Sequence, residues 1–351
     1  MSTPPITRST PETATTAQPD RATPVPGPLA GKSGWLITDG KIGMDVQVKG
    51  VADALGLVST WKYVTPKGIW RLLAPYGPVA PSEKFAGTHS PFAPPWPDFA
   101  LATGRLSIPH LRALKSRAGP ALYTVVLQDP KTTAGIADLI WVPAHDKRRG
   151  ANVITTLTAP HSFTAPRLAS LRAHVPVAIA ALPGPRVTVI LGGKNAVYKF
   201  TDDCDDRLQA SLASLAALGA SFMITPSRRT HPRLLAAVDR ATANSPRILW
   251  DGTGDNPYPE FLAHADILVV TADSVNMCGE AAATGRPVYV FHPARGSHKF
   301  ARFHSGLEQA GATRPLPAAF KSLETWGYTP LQAAEQIAAE IASRWQVRQR
   351  N

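Results

Sequence analysis

At 351 residues, 44% of them hydrophobic, the chain is long enough for two domains and for a core that needs no covalent staples. Its 37 Lys and Arg against 25 Asp and Glu give a formal net charge of +12, which favours anionic partners such as phosphorylated metabolites, nucleic acid or an anionic membrane surface. Two cysteines, Cys204 and Cys278, exclude a disulfide scaffold and fit no zinc spacing, and no apolar run reaches the ~18 residues of a membrane helix.

Residues 1–32 are rich in Pro, Thr and Ala and nearly free of large apolar side chains, so they are expected to form a disordered tail. That start lacks the apolar stretch of a secretory signal, and a cytoplasmic location is expected, with at most peripheral contact at the inner face of an anionic membrane. Residues 35–38 read as a strand, 46–55 as a helix closed by Gly56, and 60–64 as a second strand. A Pro-rich, aromatic passage follows over 66–97. Within it KGIWRLLAPY (67–76) reads either as an irregular segment packed on the first domain or as a membrane-contacting loop. Strands are expected at 99–103, 122–127 and 139–142, with a helix at 108–116. Residues 176–185 read as a connector. Beyond it, strands at 187–191, 221–225, 247–250, 266–271 and 288–291 alternate with helices at 206–218, 232–242, 258–264 and 275–284. A long helix closes the chain at 330–347.

This alternation predicts parallel sheets, and unbroken apolar runs such as ILVV (267–270) suit sheets covered on both faces. The expected fold class is α/β: two Rossmann-like, doubly wound parallel-sheet domains, 33–178 and 179–330, facing a cleft. Residues 331–351 are expected to pack back on the first domain.

The most informative stretch is ADILVVTADSVNMCGEAAATGRPVYVFHP (265–293). A buried strand ends in TADS, and a helix begins at once with Ser274 as its N-cap. The N–H groups of such a helix start favour a phosphate or carboxylate. Ser274, Asn276 and Met277 lie in that first turn, and Glu280, about 1.5 turns along, is placed to accept from ribose hydroxyls. The plainer reading is a well-capped helix whose small residues pack on the sheet.

Other strand ends carry further candidates. Asp39, Gly40, Lys41 and Gly43 combine close backbone approach with a cation, which suits either ligand contact or an ordinary βα turn. Gly192, Gly193, Lys194 and Asn195 offer amides and a cation to a phosphate, although no Walker A loop closes there. No G-x-G-x-x-G occurs, which disfavours a dinucleotide-dependent epimerase. Ser227, Arg228 and Arg229 form either a phosphate clamp or a solvated loop. Tyr258 either stacks on a base or packs. Gly104 and Arg105 close another strand, as does Gln128.

The catalytic candidates are His145 and Asp146, since a His near neutrality can serve as base towards an acceptor hydroxyl. The alternative is a loop His beside a capping Asp. The ten histidines show no metal-binding spacing, so neither a metal nor a cofactor is expected. No arginine–aromatic platform of the single-strand-binding type occurs, and nucleic acid is not an expected partner.

The segment "AD…VVTADS…M..EAAATG.PV" resembles the donor-binding element of GT-B glycosyltransferases, including the undecaprenyl-pyrophosphoryl-muramoylpentapeptide N-acetylglucosaminyltransferase type. By that resemblance a nucleotide-sugar diphosphate falls to Ser274 and Asn276, and the ribose to Glu280. TDGKIGMDVQ (38–47), ATGR (102–105), VPAHD (142–146), LGGKN (191–195), TPSRRT (225–230) and NPYPEFLAHAD (256–266) extend the likeness. Together they resemble the mitochondrial-fission "elongated mitochondria" family across nearly the whole globular part. The resemblance implies either a metal-independent glycosyltransferase or a non-catalytic nucleotide-sugar-binding or adaptor protein acting in membrane division or envelope processes.

Overall fold

The computed structural model describes residues 27–83, 85 and 90–350. The tail expected over residues 1–32 therefore lies outside the described residues as far as residue 26. Residues 27–32 belong to the packed structure: Leu29 is buried, and its amide donates to the Leu55 carbonyl. One large apolar side chain with a core to enter separates this stretch from what its composition suggests.

The first lobe runs β1 Ser33–Thr38, α1 Ile42–Leu55, β2 Val58–Tyr63, α2 Gly68–Leu73, β3 Phe99–Thr103, α3 Ile108–Ala118, β4 Tyr123–Leu127, β5 Leu139–Pro143 and β6 Val153–Thr156. Its six-stranded sheet has the order β2-β1-β3-β4-β5-β6. Every pairing in it is parallel. Successive side chains of a strand leave on opposite faces, so Leu36 joins the core under α1 while Ile37 joins the core under α3. Both faces are covered, which is why these strands are continuously apolar.

The linking helices are α4 Ala165–Ala173 and α5 Val177–Ala180. The second lobe runs β7 Arg186–Leu191, β8 Tyr198–Lys199, α6 Asp202–Ala217, β9 Ser221–Pro226, α7 Pro232–Thr242, β10 Arg247–Leu249, α8 Tyr258–His264 and β11 Ile267–Thr271. It continues with α9 Val275–Ala282, β12 Val288–Phe291, β13 Ala294–Arg295, α10 His298–Gln309 and β14 Thr313–Pro315. The six-stranded order is β10-β9-β7-β11-β12-β14, again wholly parallel. β8 and β13 form a separate antiparallel pair.

Finally α11 Ala333–Arg350 returns to the first lobe, where Ile337, Ala338 and Ile341 share a core with Val48, Val51 and Leu55 of α1. Two doubly wound lobes with facing carboxyl edges make the GT-B-like architecture the sequence predicts. The segment after β6 threads between them. At Gly50 of α1 an added Cβ would lie 2.6 Å from the His161 carbonyl oxygen, and at Gly306 of α10 one would lie 2.5 Å from Leu157. Among the described residues, no helix is long and apolar enough to cross a membrane.

In each sheet the strand order reverses once, between β1 and β3 in the first and between β7 and β11 in the second. Ligands of open α/β sheets bind outside the carboxyl ends of the strands at such a reversal. The two reversals look at each other: a Cβ added at Gly43 would stand 3.7 Å from Asn276 Nδ2.

Candidate functional site

On the first lobe, Asp39 and Gly104 end β1 and β3 and meet across the crevice, 3.5 Å from Asp39 Oδ1 to where a Cβ of Gly104 would be. The Asp39 side chain is only 5% exposed. Its Oδ2 accepts from Lys41 Nζ at 2.6 Å, while its Oδ1 is buried without a partner. Gly40 takes a left-handed turn (φ +79°) beside the Tyr63 ring. α1 starts at Ile42, four residues earlier than the sequence suggests, which puts Gly43 in its first turn. That start is fixed by Asp45, which bonds Thr38 Oγ1 at 2.6 Å and complements the helix dipole. Arg105 is not in the crevice. Its guanidinium donates to the Ala74 carbonyl (2.7 Å) and the Arg71 carbonyl (3.0 Å), holding the residues around α2.

On the second lobe, Ser274 caps α9 by accepting from the Met277 amide at 3.4 Å. Asn276 is exposed at the cleft, one turn before Glu280. The Gly-Gly turn departs from its expected role as a phosphate cradle. The Gly192 amide donates to Thr271 Oγ1 (2.7 Å) and the Gly193 amide to Asp273 Oδ2 (3.0 Å), so the protein's own groups occupy both. A Cβ at Gly192 would collide with the Asp273 carboxylate at 2.1 Å, which is why this turn accepts only glycine there.

Asp273 is buried, and burial raises its pKa against the pull of the Gly193 amide, Thr271 and Arg229. Arg229 reaches it at 3.1 Å, so of the arginine pair one is committed to the turn and Arg228 stays exposed. Ser227 bonds within its own loop, its Oγ accepting from the Arg229 amide. Asn195 donates to the Asp273 carbonyl and accepts from the Val197 and Tyr198 amides, which leaves Lys194 exposed beside it.

Tyr258 does not present its ring for stacking on a base. Its hydroxyl donates to Glu280 Oε2 at 2.5 Å, and its ring meets Phe163 edge-on. Burial pushes the Glu280 carboxyl up to about 7, against the Tyr258 hydrogen bond and the charge of Arg167. Sequence reasoning missed Arg167 because α4 has only a weak apolar stripe.

His145 and Asp146 sit in the turn after β5 and line a cavity of about 210 Å³ between the lobes. Gln47, Gln128 and Asn276 line it too, with Lys299 and Phe303 of α10 opposite. The pair does not act as a dyad: Asp146 is joined to Lys299 Nζ at 2.5 Å, and Arg302 donates to the His145 carbonyl. Burial, then Lys299 and Arg302, hold His145 below its ordinary pKa. Gln128, at φ +75°, donates to Gln47 at 2.8 Å. α10 was legible in the sequence, from the N-cap Ser297 and the apolar residues at 300, 303 and 307, although no helix is expected there above. Among the described residues, no group of three or more His, Cys, Asp or Glu is arranged to hold a metal ion.

The model of the family described as Mitochondrial fission ELM1 matches residues 42–345, which takes in both sheets apart from β1. The chain belongs to that family. Mitochondrial fission protein ELM1 of Arabidopsis thaliana is 28% identical over 281 residues, 72% of this chain and 66% of that protein. An uncharacterized protein, RP120, of Rickettsia prowazekii is 32% identical over 159 residues, 44% of this chain. The matches thus span less than two thirds of those relatives, 66% and 45% of their lengths. Among solved structures, the UDP-GlcNAc 2-epimerase of Methanocaldococcus jannaschii aligns at TM-score 0.47 and 10% identity, covering 88% of this ELM1-family chain and 99% of the epimerase. MurG of Acinetobacter baumannii aligns at TM-score 0.46 and 15% identity, covering 91% and 92%.

Proposed function

We propose that this ELM1-family protein binds a nucleotide-sugar or a closely similar phosphorylated ligand in the cleft between its lobes. The observation that carries the reading is the opposition of the two strand-order reversals, with Asn276 at the start of α9 facing the start of α1. The diphosphate lies at the start of α9, where backbone amides and the exposed Asn276 meet it. Lys194 and Arg228, exposed on neighbouring strand ends, supply positive charge. Glu280, oriented by Tyr258, receives the ribose.

On the first lobe, the unpartnered Asp39 oxygen and His145, neutral at physiological pH, are the groups suited to an acceptor hydroxyl. Transfer of the sugar would then be metal-independent, with the cations stabilising the departing diphosphate.

A second reading, binding without transfer in an adaptor of membrane division, is favoured by one feature. Asp146, the carboxylate next to His145, is committed to Lys299. A thermal-shift screen of UDP-, GDP-, CMP- and dTDP-sugars tests the binding that both readings share. A ligand at 100 times its Kd adds about 2.7 kcal/mol, a rise of several degrees. No shift with any of them rejects the proposal, and release of free nucleotide in the presence of an acceptor separates transfer from binding.

A further inference from the structure

Among the described residues, α2 presents a surface at odds with its composition. None of its six residues is buried, although four are Ile, Trp, Leu and Leu. Ile69 is 61% exposed, Leu72 76% and, just beyond the helix, Tyr76 70%. An apolar element this open is rare on a soluble surface unless something covers it.

It is not a loosely held loop. Arg105 holds the Arg71 and Ala74 carbonyls, and Arg112 holds those of Pro75, Tyr76 and Gly77. The Tyr76 hydroxyl donates to the Lys131 carbonyl, and Ala74 and Pro75 are buried. The backbone is therefore fastened to the lobe while the apolar side chains point away from it.

The charge carried by the segment itself has one sign, while the Glu83 carboxylate beside it is taken up by the Thr65 amide. Residues 62–77, KYVTPKGIWRLLAPYG, contain Lys62, Lys67 and Arg71 and no carboxylate. Lys67 and Arg71 are exposed. The same loop system borders the first-lobe crevice, since Arg105 follows Gly104 directly and Tyr63 packs beside Gly40.

The geometry points to α2 and its flanks as a docking face for an anionic lipid bilayer, which sets the first-lobe crevice at the membrane surface. Apolar tips on a rigid support, flanked by cations, enter the headgroup boundary while Lys67 and Arg71 meet anionic headgroups. A second copy of the chain fits the face less well. A two-fold contact there would bring Lys67 and Arg71 against their own equivalents with no carboxylate in the segment to pair them.

Flotation of the full-length chain with vesicles tests this, using phosphatidylcholine alone and phosphatidylcholine mixed with phosphatidylglycerol. The chain should float with the mixed vesicles only, and less so as salt is raised. Lys67→Ala with Arg71→Ala should lower the partition coefficient about tenfold or more. Ile69→Ser with Leu72→Ser should abolish flotation while the circular dichroism spectrum and melting temperature stay unchanged, because these side chains contribute nothing to the core. Absence of flotation with phosphatidylglycerol vesicles overturns the inference, and so does flotation that the apolar variant retains. A dimer that Leu72→Ser dissolves would assign the face to a second copy instead. The nucleotide-sugar shift reads the other lobe, so the two proposals fail separately.

Discussion

Two carboxylates of the second lobe divide the labour at the cleft. Asp273 organises the Gly-Gly turn from inside, while Glu280 waits beside Tyr258 with its proton affinity raised to about 7. A carboxyl whose folded pKa lies above its ordinary 4.5 holds its proton more tightly in the folded state. Its favourable contribution is thus complete below pH ~4.5 and is lost as pH rises through ~7. Glu280→Gln, which never ionises, should gain stability relative to the parent over that window, by up to about 3 kcal/mol at pH 8. Urea melts at pH 5 and pH 8 check this, and equal differences at the two pH values would contradict it.

Ser274 as cap was legible in four consecutive residues. The role of Asp273 was not, because it depends on β7 and β11 lying side by side, about 80 residues apart in sequence. Local sequence can place a carboxylate at a strand end but cannot say that the turn after the neighbouring strand will supply the Gly193 amide for it to accept.

At the scale of elements, apolar runs bounded by turn or cap residues were the readable ones. β3, α7, α8 and β12 begin and end where their composition says, and both sheets are parallel as the alternation implies. What escaped includes β6 and β14, edge strands of four and three residues, and α10, although its stripe of Phe300, Phe303 and Leu307 is readable. α10 supplies Lys299, Phe300 and Phe303, so one wall of the interlobe cavity was invisible beforehand.

The contact of α1 with the crossing segment gives a prediction opposed to helix propensity. Alanine favours a helix interior over glycine by roughly 1 kcal/mol. At Gly50, however, the added Cβ meets backbone of His161 at 2.6 Å, and that backbone is fixed between the lobes. Gly50→Ala should therefore destabilise, by about 1–3 kcal/mol in denaturant unfolding. A stabilised variant would show that the lobes separate more easily than this packing indicates.

For the whole molecule, the composition and charge were informative in one respect and silent in another. A net charge of +12 suggests an anionic partner, and the exposed cations, though spread over both lobes, include Lys194 and Arg228 at second-lobe strand ends and Lys67 and Arg71 on the α2 face. Which of the many strand-end residues look into the shared cleft depends on strand order, and strand order is a property of long-range pairing. Arg105 illustrates this: it follows a strand at the crevice, yet it serves α2.

In the proposed function the start of α9 receives a negatively charged group. Asn276→Asp tests it directly, because an acidic side chain in a first helical turn suits the helix dipole and leaves the fold intact, while it repels an anionic ligand. With the nucleotide-sugar that gives the largest thermal shift, titration calorimetry should show the variant binding at least about tenfold more weakly, at an unchanged melting temperature without ligand. Equal affinity in parent and variant would contradict the account and move the ligand away from this helix.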